Sequence, residues 1–470
     1  MSDGRRVFDT GQSFHETRQI AASSGMLPAC REISAGKLDA ANIDDHASAL
    51  PKTRRIPARD ALMTETKPRP PSIPLLFAMI YAGQLASSIY LPGLPDIAHD
   101  LNTPISSAQT LIAAYLASFA IAQLVMGPLS DRFGRRPVIL GGLVLFTVSS
   151  ILCAFVPDIG SMLAARFAQA TGACATIVVG RAMVRDTSEG AAAIQAMSWL
   201  SMALGIGPAT APFIGGILTG WFGWQATFIT TALVGAGVLL FVIIDLEETL
   251  PPAARKPQRT RDLPGTYLRL ARNPVFVGYS LIVSFASGAM QAYLTSTPIV
   301  YIILMGVSPE VFGIFIMIMP MLYVTATYVS RRLSFRIPVD RIILIGVTFS
   351  ATGGLLQVIF GLWGVTTPPP VLIAFAISNI GTGLVLANCY AQALNAVEPS
   401  IAGQASALGG CMHMGWGAIL SYAVAKMHHT SSLQLGIGQM TTTWLAASTA
   451  LLLIFVIKGR RPPESGRDTA

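Results

Sequence analysis

The residues best suited to chemistry are few, and they interrupt long apolar runs. Between two such runs lies GPLSDRFGRRPVIL (Gly127–Leu140), which sets Asp131 among Arg132, Arg135 and Arg136, with glycines at 127 and 134. A carboxylate here is stabilised near the positive N-terminal end of a helix. Gly134 supplies a tight turn, and Gly127 lets a helix end approach its neighbour. The arginines alone suffice to anchor a short connection on one side of a membrane, and an anchor needs neither the aspartate nor the glycines. Arg166 and Gln169 lie three residues apart, on one helix face. An arginine near a helix end either snorkels to the membrane surface or, as an intramembrane charge, marks a functional site. His413, inside GGCMHMGWG, titrates near pH ~6.5 when unperturbed, so it is either a proton carrier or a hydrogen-bonded packing residue. No acidic metal-binding pair, no nucleophile–base set and no GxxxxGK[ST] loop is present, which argues against an enzyme and against direct drive by a nucleotide.

The elements that position these residues are membrane helices. Only 12% of the 470 residues are charged and 52% are hydrophobic, whereas soluble domains carry roughly 25% charge. No Asp, Glu, Lys or Arg occurs in 190–244 or in 342–397. Each gap exceeds the ~20 residues of one crossing and reads as a helical hairpin, turning at GWFGW (Gly220–Trp224) and TTPPP (Thr366–Pro370). The chain is therefore expected to be an all-α polytopic membrane protein, since a helix satisfies its own backbone hydrogen bonds in lipid. About twelve spans fit: 73–91, 106–126, 138–156, 162–183, 193–214, 226–244, 275–300, 311–329, 342–362, 371–394, 404–425 and 439–457.

The net charge of +8 is concentrated in alternate loops, an orientation signal and not a nucleic-acid stripe. Arg132, Arg135 and Arg136 follow span 2; Arg255, Lys256, Arg259, Arg261, Arg269 and Arg272 follow span 6; Arg331, Arg332 and Arg336 follow span 8; Lys458, Arg460 and Arg461 lie in the tail, and Lys426 is the exception. Both termini are accordingly expected on the cytoplasmic side. Residues 1–72 read as a disordered cytoplasmic extension, with an alternative start at Met63. A bundle over 73–245, a linker over 246–273, a second bundle over 274–458 and a tail over 459–470 complete the layout. A weak repeat, YLPGLP (Tyr90–Pro95) against YLTSTP (Tyr293–Pro298), predicts two pseudo-symmetric six-helix bundles with a binding site between them. The five cysteines, 30, 153, 174, 389 and 411, form no CxxC pair and read as packing thiols.

Gly127-x-Leu129-x-Asp131-Arg132-x-Gly134-Arg135-Arg136 resembles the signature loop between helices 2 and 3 of the major facilitator superfamily (MFS). YLPGLPDIA (Tyr90–Ala98), RFAQATGA (Arg166–Ala173) and GIGPATAPFIGG (Gly205–Gly216) are similar to its drug exporters, and YLPGLPDIA together with GRAMVRD (Gly180–Asp186) resembles the bicyclomycin/chloramphenicol-resistance (Bcr/CflA) branch. The resemblance implies export of small toxic compounds from the bacterial inner membrane by a monomer, through alternating access driven by inward proton flow and without a bound cofactor. An uptake carrier or uncoupled facilitator is the alternative. It further implies that Asp131 latches the two halves, that Arg166 couples protons or substrate, and that span 5 bends and seals through Gly205, Gly207, Pro208, Pro212, Gly215 and Gly216.

One expected residue is missing. Related exporters hold an acid just before YLP, where this chain has Ser88, and no Asp or Glu lies away from the span ends. A cation in a low-dielectric cavity needs a counter-charge, so neutral or zwitterionic substrates are expected. Tyr81, Gln84, Ser88, Tyr90, Tyr115, Trp199, Gln291, Tyr293, Asn388 and Gln392 are the candidate lining residues, on the principle that such sites combine apolar walls with a few polar groups.

Overall fold

The computed structural model describes residues 69–252, 255, 263–398, 401–427 and 431–458. Most of the expected N-terminal extension with Cys30, the linker positions Lys256, Arg259 and Arg261, and the tail from 459 onward lie outside these residues. In chain order the helices are α1 (Ile73–Ser88), α2 (Leu94–Asp100), α3 (Ile105–Phe133), α4 (Arg135–Phe155), α5 (Ile159–Thr187), α6 (Gly190–Phe222) and α7 (Gln225–Asp245). There follow α8 (Leu263–Ala271), α9 (Pro274–Thr297), α10 (Pro309–Leu333), α11 (Val339–Leu362), α12 (Pro368–Asn395), α13 (Ala402–Ala425) and α14 (Leu433–Leu451). Among the described residues, 11 helices are long and apolar enough to cross a membrane. The twelfth crossing, α13, has 24 residues, and Gly, Ser, Gln and His dilute its apolar character.

Both charge-free stretches are hairpins. Gly223, at φ 80°, separates α6 from α7, and the turn before Pro368 separates α11 from α12. Short breaks fall where the internal repeat lies: a 3₁₀ turn, Leu91–Gly93, follows α1, and a π-helical segment, Pro298–Leu304, follows α9. One element was not expected. The basic linker carries the short helix α8, whose Leu270 is buried and whose Tyr267 hydroxyl donates to the Leu124 carbonyl of α3 at 3.3 Å.

The packing repeats between the halves. Helix α1 touches α5, α6 and α7, and its counterpart α9 touches α12, α13 and α14. Likewise α3 on α5 matches α10 on α12, α4 on α5 matches α11 on α12, and α4 on α7 matches α11 on α14. The two main crossings between halves, α3 with α13 and α6 with α10, are also counterparts of each other. A chain that places the same contacts at equivalent positions in each half has an axis between the halves, and α1, α3, α6, α9 and α13 come together there.

Candidate functional site

A cavity of about 150 Å³ lies between the bundles. Helix α1 contributes Gly83, Gln84, Ser87 and Ser88; α3 contributes Ile112, Tyr115, Leu116 and Phe119; α9 contributes Met290, Gln291 and Leu294. Leu91, Pro208 of α6 and Met414 of α13 complete it. Two amides, two serine hydroxyls and one phenol stand among aliphatic, methionine and aromatic groups, and no charged residue lines the space. Such a wall offers donors and acceptors to a small polar molecule and adaptable apolar contact from the thioethers.

Of the expected lining residues, Gln84, Ser88, Tyr115 and Gln291 are in place. The other six are occupied elsewhere. Tyr81 stacks on Phe77 and shares a 3.0 Å hydrogen bond with Thr210 of α6, while Tyr90 is fully buried beneath Arg166. Trp199 stands 39% exposed, edge-on to Phe77. Tyr293 stacks on Phe375 at 3.6 Å between ring centres and shares a hydrogen bond with Tyr301. Asn388 donates to the Ser330 hydroxyl and to the Leu384 carbonyl, at 2.7 and 2.8 Å. Gln392 is half-buried near the end of α12. For Tyr81, Tyr293 and Asn388, neighbours in the same half take up the polar atoms that helical spacing had placed facing inward.

Arg166 does not snorkel. It is 0% exposed, with its guanidinium carbon 4.2 Å from the Tyr90 ring centre and 4.4 Å from that of Tyr115. One terminal nitrogen donates to the Ala86 carbonyl of α1 at 2.9 Å and to Gln169 at 2.5 Å, and Gln169 in turn donates to Ser150 of α4 at 2.7 Å. The remaining guanidinium nitrogens, Nε and Nη2, have no protein partner. No carboxylate pairs with the charge among the described residues, so the two aromatic faces supply the compensation, about 2 kcal/mol for a desolvated cation–π contact. Tyr115 thus has one face against the cation and an edge in the cavity, and it ties α3 to α1 by donating to the Gly83 carbonyl at 3.0 Å. This arrangement depends on tight contact between α4 and α5: a Cβ on Gly172 would lie 2.7 Å from the Phe146 amide nitrogen.

His413 is half-buried, and its Nδ1 is 2.8 Å from the Tyr390 hydroxyl of α12. Tyr390 lies within electrostatic reach of Arg181 on α5, a residue that spacing alone did not single out.

The helix end at which α6 meets α10, opposite the Gly127–Arg136 loop, is sealed by backbone contact. A Cβ on Gly215 would collide with the Ile89 carbonyl, and one on Gly216 with the Pro309 carbonyl. From the other side, a Cβ on Gly313 of α10 would come 2.7 Å from the Pro212 carbonyl. Gln109 adds a 2.6 Å hydrogen bond to the Thr295 carbonyl. Gly207 has no room beside Gln84, whereas Gly205 has only Val324, at 3.9 Å, for a neighbour. Helix α6 runs unbroken through Pro208 and Pro212.

At the other end the charged loop forms a compact network within the first bundle. Arg135 is 3% exposed and pairs with Asp131 at 2.6 Å and with Asp186 of α5 at 2.8 Å. The anion at the N-terminus of α4 is Glu248, not Asp131. It accepts from the Arg135 and Arg136 amides at 2.9 and 3.3 Å, and Arg255 approaches it at 3.7 Å. Arg136 also reaches the Ile243 carbonyl at 3.2 Å, while Arg132 packs over Phe133. The close approach expected at Gly127 is absent, since a Cβ there would meet only Val178, at 3.9 Å. Glu248 and Asp186 escaped the sequence reading because both are distant in the chain from the loop they bind.

Gly134 sits at φ 102°, ψ 160°, a region essentially restricted to glycine, and a Cβ there would strike the Glu248 carboxylate. Gly134→Ala is expected to cost about 2–4 kcal/mol, from ~1–3 kcal/mol of backbone strain together with a weakened cap. The check is the melting temperature of the purified protein in detergent, and an unchanged value would contradict the assignment.

The comparisons with known proteins agree with this architecture. The Major Facilitator Superfamily model matches residues 76–422. The chain is 33% identical over 366 residues to an uncharacterized MFS-type transporter, YdgK, of Bacillus subtilis (strain 168), covering 77% of this chain and 90% of the relative. It is 29% identical over 346 residues to a bicyclomycin resistance protein homolog of Haemophilus influenzae, covering 72% and 85%. Among solved structures, a D-xylose-proton symporter superposes with a TM-score of 0.67 at 15% identity, covering 81% of this chain and 96% of that one. With its matched family model, its repeated halves and its uncharged cavity between them, the chain belongs to the Major Facilitator Superfamily and is a multi-pass membrane transporter, not an enzyme.

Proposed function

We propose that the protein exports small neutral or zwitterionic compounds across a bacterial inner membrane by proton-coupled antiport, working as a monomer without a bound cofactor. The observation that carries this reading is the uncharged cavity between the repeated halves, with two amides among its apolar walls. Its relatives support it, since one is named for bicyclomycin resistance. On this reading the arginine-rich loops and both termini face the cytoplasm. On the same reading the glycine seal of α6 and α10 closes the outer side. Asp131, 38% exposed and paired with Arg135, would latch the halves in the opposite state, when the cytoplasmic side closes.

His413, hydrogen-bonded to Tyr390, is the proposed proton carrier, and Arg166 with Gln169 the proposed coupling element behind Tyr115. One observation favours a second reading: no carboxylate lines the cavity, which suits an uncoupled facilitator. The test is a drug-susceptibility panel on pump-deficient cells with and without the gene, repeated with an uncoupler. Export predicts raised tolerance to phenicol-like neutrals, little to ethidium-like cations, and loss of protection with the uncoupler. Protection that survives the uncoupler would favour the facilitator, and stronger protection against the cations would overturn the substrate class.

A further inference from the structure

We infer that Arg181 is a binding residue for an anionic group on the transported molecule, so that the preferred substrates are zwitterions and monoanions and not simply neutral compounds. This deepens the export reading above and rests on it. Arg181 lies two turns inside α5, six residues before its end at Thr187. On its own helix face Cys174, Ile177 and Val184 are at most 4% exposed, whereas Val178 is half-buried and Arg181 and Arg185 are exposed. On the other half stand Tyr390, within electrostatic reach of the guanidinium, and His413, 2.8 Å from the Tyr390 hydroxyl. One turn further on, Arg185 reaches to within 3.6 Å of the Cβ position of Gly403 on α13.

No carboxylate pairs with Arg181 among the described residues, and the neighbouring acid, Asp186, is engaged by Arg135. An arginine near the end of a membrane span, without an internal counter-ion, carries part of the desolvation cost of an intramembrane charge. That cost is offset when a carboxylate, sulfonate or phosphonate enters, because a guanidinium binds such groups through paired, charge-assisted hydrogen bonds. The Tyr390 hydroxyl is placed to add one more contact from the opposite half, so a bound anion would bridge the bundles.

The test uses the full-length protein in proteoliposomes with a matched pair of probes, chloramphenicol (neutral) and its hemisuccinate (a monoanion). Transport driven by an imposed proton gradient is measured together with thermal stabilisation of the detergent-purified protein by each probe. Wild type is expected to bind and move the hemisuccinate. Arg181→Gln should lose on the order of tenfold to a hundredfold in apparent affinity for the anion, the weight of a charged hydrogen bond, and change less than about threefold for the neutral probe. Arg181→Lys should recover part of the loss. An equal effect of Arg181→Gln on both probes, or none on either, overturns the inference. If wild type handles chloramphenicol but not the hemisuccinate, the inference fails and the export reading stands. If it binds the hemisuccinate through Arg181 but moves neither probe under the gradient, the export reading fails alone.

Discussion

Replacing Gly216 with leucine is expected to abolish transport while the protein still inserts into the membrane. In the structure a Cβ at this position already meets the Pro309 carbonyl and lies 3.2 Å from the Glu310 Cα, so α6 and α10 touch through backbone. Overpacking a fitted contact costs ~1–3 kcal/mol or more, and here the cost falls on one conformation only, the one in which this end is closed. A bias of ~2.7 kcal/mol shifts a two-state equilibrium about a hundredfold, enough to hold the transporter in its alternate state. The check is thiol labelling of a cysteine placed in the cavity, at Gln291. Gly216→Leu should raise labelling from the side of the α6–α10 seal by tenfold or more, with transport lost. The matching control is Gly205→Leu, whose nearest neighbour is Val324 at 3.9 Å, and which should label like the parent. Equal labelling of the two variants would contradict a glycine-built gate.

The second large effect is expected at Arg166. Substitution by alanine removes a fully buried guanidinium held between Tyr90 and Tyr115 and frees the Ala86 carbonyl that it satisfied. Transport should fall at least a hundredfold. Lysine should fail almost as badly, because a compact ammonium cannot lie flat between two rings as a planar guanidinium does. Conversely, Tyr115→Phe keeps the ring face but loses the bond to the Gly83 carbonyl, and should retain transport to within about tenfold, the weight of one neutral hydrogen bond. The measurement is initial transport rate at equal membrane abundance. If Arg166→Lys transports normally, charge alone suffices and the stacked arrangement is incidental.

The fold was legible because charge is so sparse. Uninterrupted apolar stretches such as 190–244 admit only hairpins, and the Tyr90 and Tyr293 repeats fall at breaks that end the first helix of each half. The site was legible only in part. Ser88 and Gln84 share a face of α1, and that face does line the cavity. The period of a helix cannot reveal that Tyr293 would be held by Phe375, or Asn388 by Ser330, since those partners arise from packing within the second bundle. Long-range charge pairing was equally hidden. The charged loop draws the eye to Asp131, but the helix cap is Glu248, delivered by the chain after α7. Glycine spacing was also ambiguous, for Gly216 is a contact and Gly205 is not.

The most direct test of coupled export is accumulation of chloramphenicol by proteoliposomes whose lumen is more acidic than the bath, scored only in vesicles holding the transporter with its arginine-rich loops outside. The account predicts uphill uptake that stops when an uncoupler collapses the gradient and that is severely reduced in His413→Asn. Equilibration to the bath concentration, at the same rate with or without the gradient, would contradict it.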